Sequence, residues 1–491
     1  MKLLITTLSP VHIGSGDKYT GLSHLSEGNT VYVYEAEQIA RNLGDYGARF
    51  ASWIEERVAE IGRLDKEFQA IDRRNRQRWE QKRDEKRRAE RKLSLKQFLS
   101  DIKDKSVEQR FKQSGHFMHC LSIPQGITIY PATEIEQLMR VNGQPYIPGT
   151  EIKGAMRTAI LYYLLKHNSS LYDSLYKDLL DFKKEHAAVI NAVIRFVAEK
   201  KYNQARERKK RLVKAMAKLE ERLQYRVLFA GSHTEAQYDL FRFVAVADSK
   251  PVQAEASCFV TNVQVVGMSR NVYITQELLR TGTTFDSEGF NVGSPQSGAI
   301  STASVLGFAT DQRAVLRDYR ALLACCKEFS YRLLDEEIGY FSGSYPTVVT
   351  KLQEIKRQNT AESPVLRLGK GIGFLSLTVG LLLKDEDRAL YDKDRALYDN
   401  VVSHATKNIS YTGNFPKTRR MVDLGNGGYD TLGWVKLSVV ESATGSEKSD
   451  TLLSSQMSSP PSQQDESASQ EPRGKADIHA LAKNWEKRKL K

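Results

Sequence analysis

The chain has 491 residues, 40% of them apolar, enough to bury a sizeable core in more than one unit. Lysine and arginine exceed aspartate and glutamate by 73 to 60, for a net charge of +13 and a pI near 9.3. That balance favours a polyanionic partner without choosing among RNA, DNA, the ribosome and an anionic membrane surface. No stretch of about eighteen apolar residues occurs, and the N-terminus opens on an alternating strand, so neither a membrane span nor a leader is expected. Cys120, Cys258, Cys325 and Cys326 show no Cys-x-x-Cys spacing, which argues against a zinc site or disulfide framework and for a reducing cytoplasm.

Residues 2–8 alternate as a strand, Thr30–Tyr34 repeats the signal after the turn at Gly28, and Ala36–Leu43 reads as a short helix. From about Phe50 the pattern becomes charged and helical. Residues 63–96 hold fourteen Lys/Arg against seven Asp/Glu, either a helix leaning on RNA or a surface helix carrying i,i+4 pairs. Strand and turn chemistry returns over 115–130. There His116, His119 and Cys120 lie close together without further ligands, which suits a packed strand better than a metal site. Residues 161–227 are mainly helical, and 199–226 carry eleven Lys/Arg against four Asp/Glu. Val244–Asp248 and Ser257–Val266 are β-branched runs typical of strands. Residues 281–307, rich in Gly, Ser and Thr, show little period and are expected as a long loop or irregular hairpin. Asp387–Asp392 recurs as Asp394–Asp399, a lengthened surface helix or loop. Gly433–Val440 reads as a strand, 441–474 as disordered, and 478–491 as a basic amphipathic end.

Two glycine-rich segments carry the functional signal. Tyr146-Ile-Pro-Gly-Thr-Glu-Ile-Lys-Gly-Ala-Met-Arg157 runs from a Pro-Gly turn into an apolar stretch. Thr150 or Glu151 then falls near a helix N-terminus, with Lys153 and Arg157 one turn apart, offering amides and two cations to a phosphate. In Arg367-Leu-Gly-Lys-Gly-Ile-Gly-Phe374, Gly369, Gly371 and Gly373 remove every other side chain, so another backbone can approach; Lys370 supplies charge and Phe374 a stacking face. Neither segment has the spacing of a Walker or dinucleotide loop. Phe415-Pro416-Lys417-Thr418-Arg419-Arg420 adds a third basic constellation, where Lys417 and Arg419 project together if the segment is extended. The bland reading gives each glycine a turn and each cation to solvent; Tyr146 and Phe415 equally suit base stacking or the core. Glu336-Glu337 and Glu134-x-Glu136 read as solvated acids.

These loops, the opening Leu3–Gly16 stretch with Pro10-Val-His-Ile-Gly14, and Phe415–Arg420 followed by Gly433-Trp-Val-Lys-Leu437 resemble the RAMP proteins of CRISPR systems, over about residues 1–45 and 115–440. More narrowly, the chain resembles the RAMP subunit that caps the 3′ end of the guide RNA in type III-A (Csm) complexes, with the Pro-Lys-Thr-Arg segment favouring that subunit. The resemblance implies an α+β fold of two ferredoxin-like, RRM-like units with large helical insertions: 1–250, interrupted at about 50–110 and 161–227; 251–440, bearing the glycine loop; and a tail, 441–491. An extended hairpin of such subunits finds its counterpart in 281–307 or around Gly14–Gly28.

Read with this resemblance, RNA binding falls to Lys153, Arg157, Arg367, Gly369, Lys370, Gly371, Gly373, Lys417, Arg419 and Arg420, with His12, Thr150 and Phe374 as further contacts. No catalytic residue, metal or cofactor is expected. The implied partners are a CRISPR guide RNA, target RNA, other Csm subunits, above all the repeating backbone RAMP subunit, and host trimming nucleases. The implied role is guide maturation and complex assembly in antiviral defence. Two other readings stay open. In RAMP relatives that cleave CRISPR repeats a histidine acts as general acid or base without metal, a role open to His12, although no second group stands beside it in the sequence. Alternatively the chain is a scaffold that recruits a trimming nuclease through its basic helices or tail.

Overall fold

The computed structural model describes residues 1–72, 75–268, 270–293, 304–384, 401–402 and 415–441; the 387–399 tandem and the 442–491 tail lie outside them. The described residues form two compact units, one from Met1–Val33, Ser94–Lys96 and Phe117–Val440, the other from Tyr34–Leu93 and Gln97–His116.

In the first unit a four-stranded antiparallel sheet runs Thr284–Glu288, Lys2–Thr7, Trp434–Val440, Val365–Arg367. Lys2–Thr7 alternates because Leu3, Ile5 and Thr7 turn into the core. The region expected as a long loop after residue 281 therefore begins as a strand. Thr284-Phe-Asp-Ser-Glu buries Phe285 and Ser287 on one face, and its polar residues concealed the period. Residues 294–303 lie outside the described set.

The larger sheet has nine strands. Its main path is Gly14–Tyr19, Ile135–Leu138, Val272–Leu279, Cys258–Val266, His119–Ser122, Thr30–Val33, His24–Glu27; Arg419–Gly425 joins the far part of Cys258–Val266, and Gly428–Asp430 pairs beside it. Gly14–Tyr19 and His24–Glu27, neighbours in the chain, stand at opposite ends of this path, so the sheet curls. The hairpin expected around Gly14–Gly28 is not formed, because these strands pair with Ile135–Leu138 and Thr30–Val33 instead. Strands from before and after residue 250 share both sheets. A boundary at 250 accordingly separates no compact units: Lys2 stands opposite both Glu288 and Val440.

Helices Gly149–His167 and Tyr319–Phe341 pack through Tyr162 and Phe329, edge to face with centroids 5.3 Å apart. Asp318 starts the second by accepting from the Ala321 amide, and Asn168 starts Ser169–Ala198 by accepting from Leu171. Ser169–Ala198 and Tyr202–Leu228 make a helical hairpin that buries Leu175, Leu179, Leu212, Leu219 and Leu223 and exposes Arg206, Arg208, Lys214, Lys218 and Arg222. In the second unit part of the basic run is answered by its own acids. Arg63 meets Glu67 at 2.7 Å, Lys82 meets Glu67 at 3.0 Å, Arg76 meets Glu80 at 3.0 Å, and Lys86 pairs with Asp65. Among the described residues no helix is long and apolar enough to cross a membrane.

Candidate nucleic-acid interface

Pro10–Ile13 links the two sheets, and each of its carbonyls is held by a different part of the chain. Gly433 donates to Pro10 at 2.8 Å, Leu279 to Val11 at 2.8 Å, Lys370 to His12 at 2.8 Å and Met139 to Ile13 at 2.7 Å. The glycine loop thus lies directly on the His12 backbone. A Cβ on Gly369 would overlap the His12 carbonyl oxygen, and one on Gly371 would meet the Arg420 guanidinium. Only glycine lets these approaches happen.

All three loop glycines have positive φ, +92° at Gly369, +90° at Gly371 and +92° at Gly373, whereas Lys370 and Ile372 between them do not. Alternation in the sign of φ is one requirement of the backbone concavities that bind anions. Among the described residues the amides of Gly371, Ile372 and Gly373 have no acceptor. Lys370 rises beside them, its side chain 48% exposed, and reaches Glu136 Oε1 at 2.8 Å.

His12 is 1% exposed. Its Nδ1 donates to the Glu277 carbonyl at 2.7 Å, while Nε2 has no hydrogen-bond partner and lies 3.7 Å from Glu136 Oε2. Burial pushes the imidazole below its usual pKa, so it is neutral at neutral pH and points a bare lone pair at that carboxylate. Burial alone would raise Glu136, but hydrogen bonds from Lys370 and from Gln276 Nε2, at 2.6 Å, outweigh it and hold the acid below the ordinary range. Arg420 stands close by, with a buried Nη1 that has no acceptor; burial lowers its pKa, opposed by the Glu136 charge. His12, the glycine loop and Arg420 are therefore brought together, around an acid read as solvated from the sequence.

Other expected contacts fall elsewhere. Arg367 and Arg419 do not face solvent: they are 3% and 5% exposed and share the buried carboxylate of Glu337. Arg367 Nη1 donates to Glu337 Oε2 at 2.8 Å and lies over Trp434, while Arg419 Nε takes Oε1 and lies over Tyr340. Burial would raise Glu337, but the two guanidiniums override it and keep the carboxylate charged. These arginines hold up the loop and the turn; they do not line a groove. Lys417, by contrast, is exposed, and its carbonyl accepts from Tyr340 Oη at 2.8 Å.

Helix Gly149–His167 begins as expected, with Thr150 exposed and Lys153 half-buried. Its first amide is already taken, however: Gly149 N donates to Asp248 Oδ1 at 2.8 Å. Arg157 is also engaged, placing Nη1 2.9 Å from both Asp239 oxygens and its guanidinium over Phe241. Phe374 is half-buried. It packs edge to face on Phe415, 4.9 Å between centroids, and lines an apolar cavity of about 100 Å³ with Leu161, Leu175 and Leu223. Among the described residues no hydrogen bond or ion pair joins 146–157 to 367–374. His119 is 2% exposed and meets Tyr19 Oη at 3.2 Å.

Sequence reasoning missed Glu136 and Glu337. For Glu337 a signal exists: Phe329, Leu333, Glu337 and Phe341 recur every four residues, so this acid falls in an apolar stripe and needs buried cations.

The sequence model of the RAMP superfamily matches residues 4–413. The chain belongs to the RAMP superfamily. Its curled sheet and many helices are the RAMP architecture of ferredoxin-like units with helical insertions. This RAMP chain is 27% identical over 193 residues to the CRISPR system Cms protein Csm5 of Streptococcus thermophilus, covering 38% of itself and 44% of that relative. The match thus spans less than half the relative's length. Its fold is similar to a chain of the cryo-EM structure of a Csm–crRNA–target RNA ternary complex in a type III-A CRISPR-Cas system (TM-score 0.56, 20% identity, 89% of this chain and 100% of that one). It is also similar to the crystal structure of T. onnurineus Csm5 (TM-score 0.53, 20% identity, 88% and 99%).

Proposed function

We propose that this RAMP protein is a non-catalytic, cytoplasmic subunit of a type III-A CRISPR ribonucleoprotein. It binds the 3′ portion of the guide RNA, ends the row of backbone RAMP subunits and supports guide maturation in antiviral defence. The observation that carries the reading is the Gly369–Gly373 loop, with three acceptor-free amides in succession beside the exposed Lys370. Amides and cations of this kind grip a phosphodiester backbone without reading its bases. Lys417, Lys153 and Thr150 extend the contact, with the exposed cations of Tyr202–Leu228 as an outlying surface. The likeness to Csm5 and to a chain of a Csm–crRNA complex supports the same partners.

One observation favours a second reading, metal-independent RNA cleavage: Glu136 supplies beside His12 the second group that the sequence did not reveal, 3.7 Å away. The burial of His12 weighs against it.

One experiment separates the readings: the purified chain incubated with labelled guide RNA, with and without divalent metal, across a salt series. Retention of intact RNA that falls steeply with salt and weakens in Lys370→Glu, at unchanged melting temperature, is the result expected of the capping role. Discrete products lost in His12→Ala make the chain a nuclease. Retention unchanged in Lys370→Glu removes the glycine loop from the interface.

A further inference from the structure

Glu136 is the acid on which the charged groups beside the glycine loop converge. Its Oε1 takes Lys370 Nζ at 2.8 Å and its Oε2 takes Gln276 Nε2 at 2.6 Å. The same carboxylate is the anion facing Arg420, whose buried Nη1 has no acceptor, and it stands 3.7 Å from His12 Nε2. Lys370, Gln276 and Arg420 come from three segments far apart in the chain, and they converge on one acid.

The convergence is poorly satisfied for a purely structural ion pair. One buried donor, Arg420 Nη1, is left without a hydrogen bond beside a carboxylate with lone pairs to spare. With its oxygens on Lys370 and Gln276, Glu136 makes no hydrogen bond to Arg420. A phosphodiester, with its non-bridging oxygens spread more widely than those of a carboxylate, has the shape to meet Lys370 and Arg420 together. Glu136 is 14% exposed and Lys370 48% exposed, so the pair opens to solvent on the lysine side. Gly371, lying against the Arg420 guanidinium, keeps side chains out of that opening.

We infer that Glu136 is an internal phosphate mimic: it holds Lys370 and restrains Arg420 while the site is empty, and a guide-RNA phosphate displaces it. The inference rests on the proposed RNA-binding role of the glycine loop and adds a gate to it. The gate makes binding selective. A single weak polyanion contact does not dislodge the acid, whereas a backbone already gripped by the loop amides and Lys417 does, so the Lys370 and Arg420 contacts form last.

The test is guide-RNA affinity of the full-length chain over a salt series for wild type, Glu136→Gln, Glu136→Ala and Lys370→Glu, with thermal melts of each. Both Glu136 variants are expected to bind about three- to tenfold tighter at low salt. The slope of log affinity against log salt, about 0.7 per phosphate neutralised, should stay at the wild-type value in both, because the displaced acid leaves the same phosphates bound. The amide variant keeps the bond to Gln276 and the alanine variant does not, so agreement between them excludes a packing artefact. Unchanged affinity in both Glu136 variants, with binding still lost in Lys370→Glu, overturns the gate and leaves the RNA site standing. Weaker binding in folded Glu136 variants overturns it too, because the acid then positions the site. Salt-insensitive retention in all four proteins overturns the gate together with the RNA-binding role.

Discussion

Arg367 and Glu337 meet at 2.8 Å with 1% of each side chain exposed, and Arg419 takes the other oxygen of the same carboxylate. Removing the acid leaves two buried guanidiniums facing each other. Glu337→Gln, which keeps the volume and deletes the charge, is expected to cost about 3–5 kcal/mol. Urea unfolding measures this directly; a loss below about 1 kcal/mol would show that the triad is not the strut beneath the loop and the Pro416 turn.

The loop glycines differ in what surrounds them. At Gly369 a Cβ collides with the His12 carbonyl oxygen, whereas at Gly373 it meets open space, and both residues have φ of +92°. Gly373→Ala therefore carries only the backbone penalty of about 1–2 kcal/mol. Gly369→Ala adds a displaced loop and should weaken guide-RNA retention severalfold more. Equal losses in the two variants, read by melts and retention side by side, would mean that the His12 contact does not set the loop.

Arg157 and Lys153, one turn apart on the same helix, should separate stability from binding. Arg157→Ala loses the Asp239 pair at 2.9 Å and the face of Phe241, and should destabilise by about 1–2 kcal/mol. Lys153→Ala, which breaks no ion pair among the described residues, should change stability by less than about 0.5 kcal/mol and reduce RNA affinity in a salt-dependent way. The reverse pattern in denaturation and binding curves would assign Arg157 to the RNA.

Asp430 is 8% exposed and burial pushes its carboxyl up to about 6 from 3.8. A raised pKa means that the folded state holds the proton more tightly. The associated stability is complete below about pH 4 and is lost as pH rises towards 6, by about 2–3 kcal/mol. Asp430→Asn, whose side-chain oxygen can still accept from the Thr431 amide, should melt higher than the parent above pH 6 and no higher at pH 4. A constant difference across that window would refute the linkage.

Much of the secondary structure was legible because a period carried it. Lys2–Thr7, Ala36–Leu43, Cys258–Val266 and Trp434–Val440 lie where alternation or helical spacing places them. Thr284–Glu288 was not, since a strand with one apolar inward residue has almost no period to read. At the site, residue type singled out His12, the glycines and Arg420, but type does not say which charges are answered. Arg367 and Arg419 looked like groove cations because their partner lies 30 and 82 residues away on a helix. Glu136 looked solvated because Lys370 is 234 residues distant.

The carbonyls of Pro10–Ile13 are held by residues from 139 to 433, and Trp434 N donates to Ser9 Oγ across 425 residues. A chain emerging from the ribosome therefore cannot pair the Pro10 carbonyl or the Ser9 hydroxyl oxygen in this way until residues 433 and 434 have been made. The opening segment gathers these donors one at a time, Met139 first and Gly433 last.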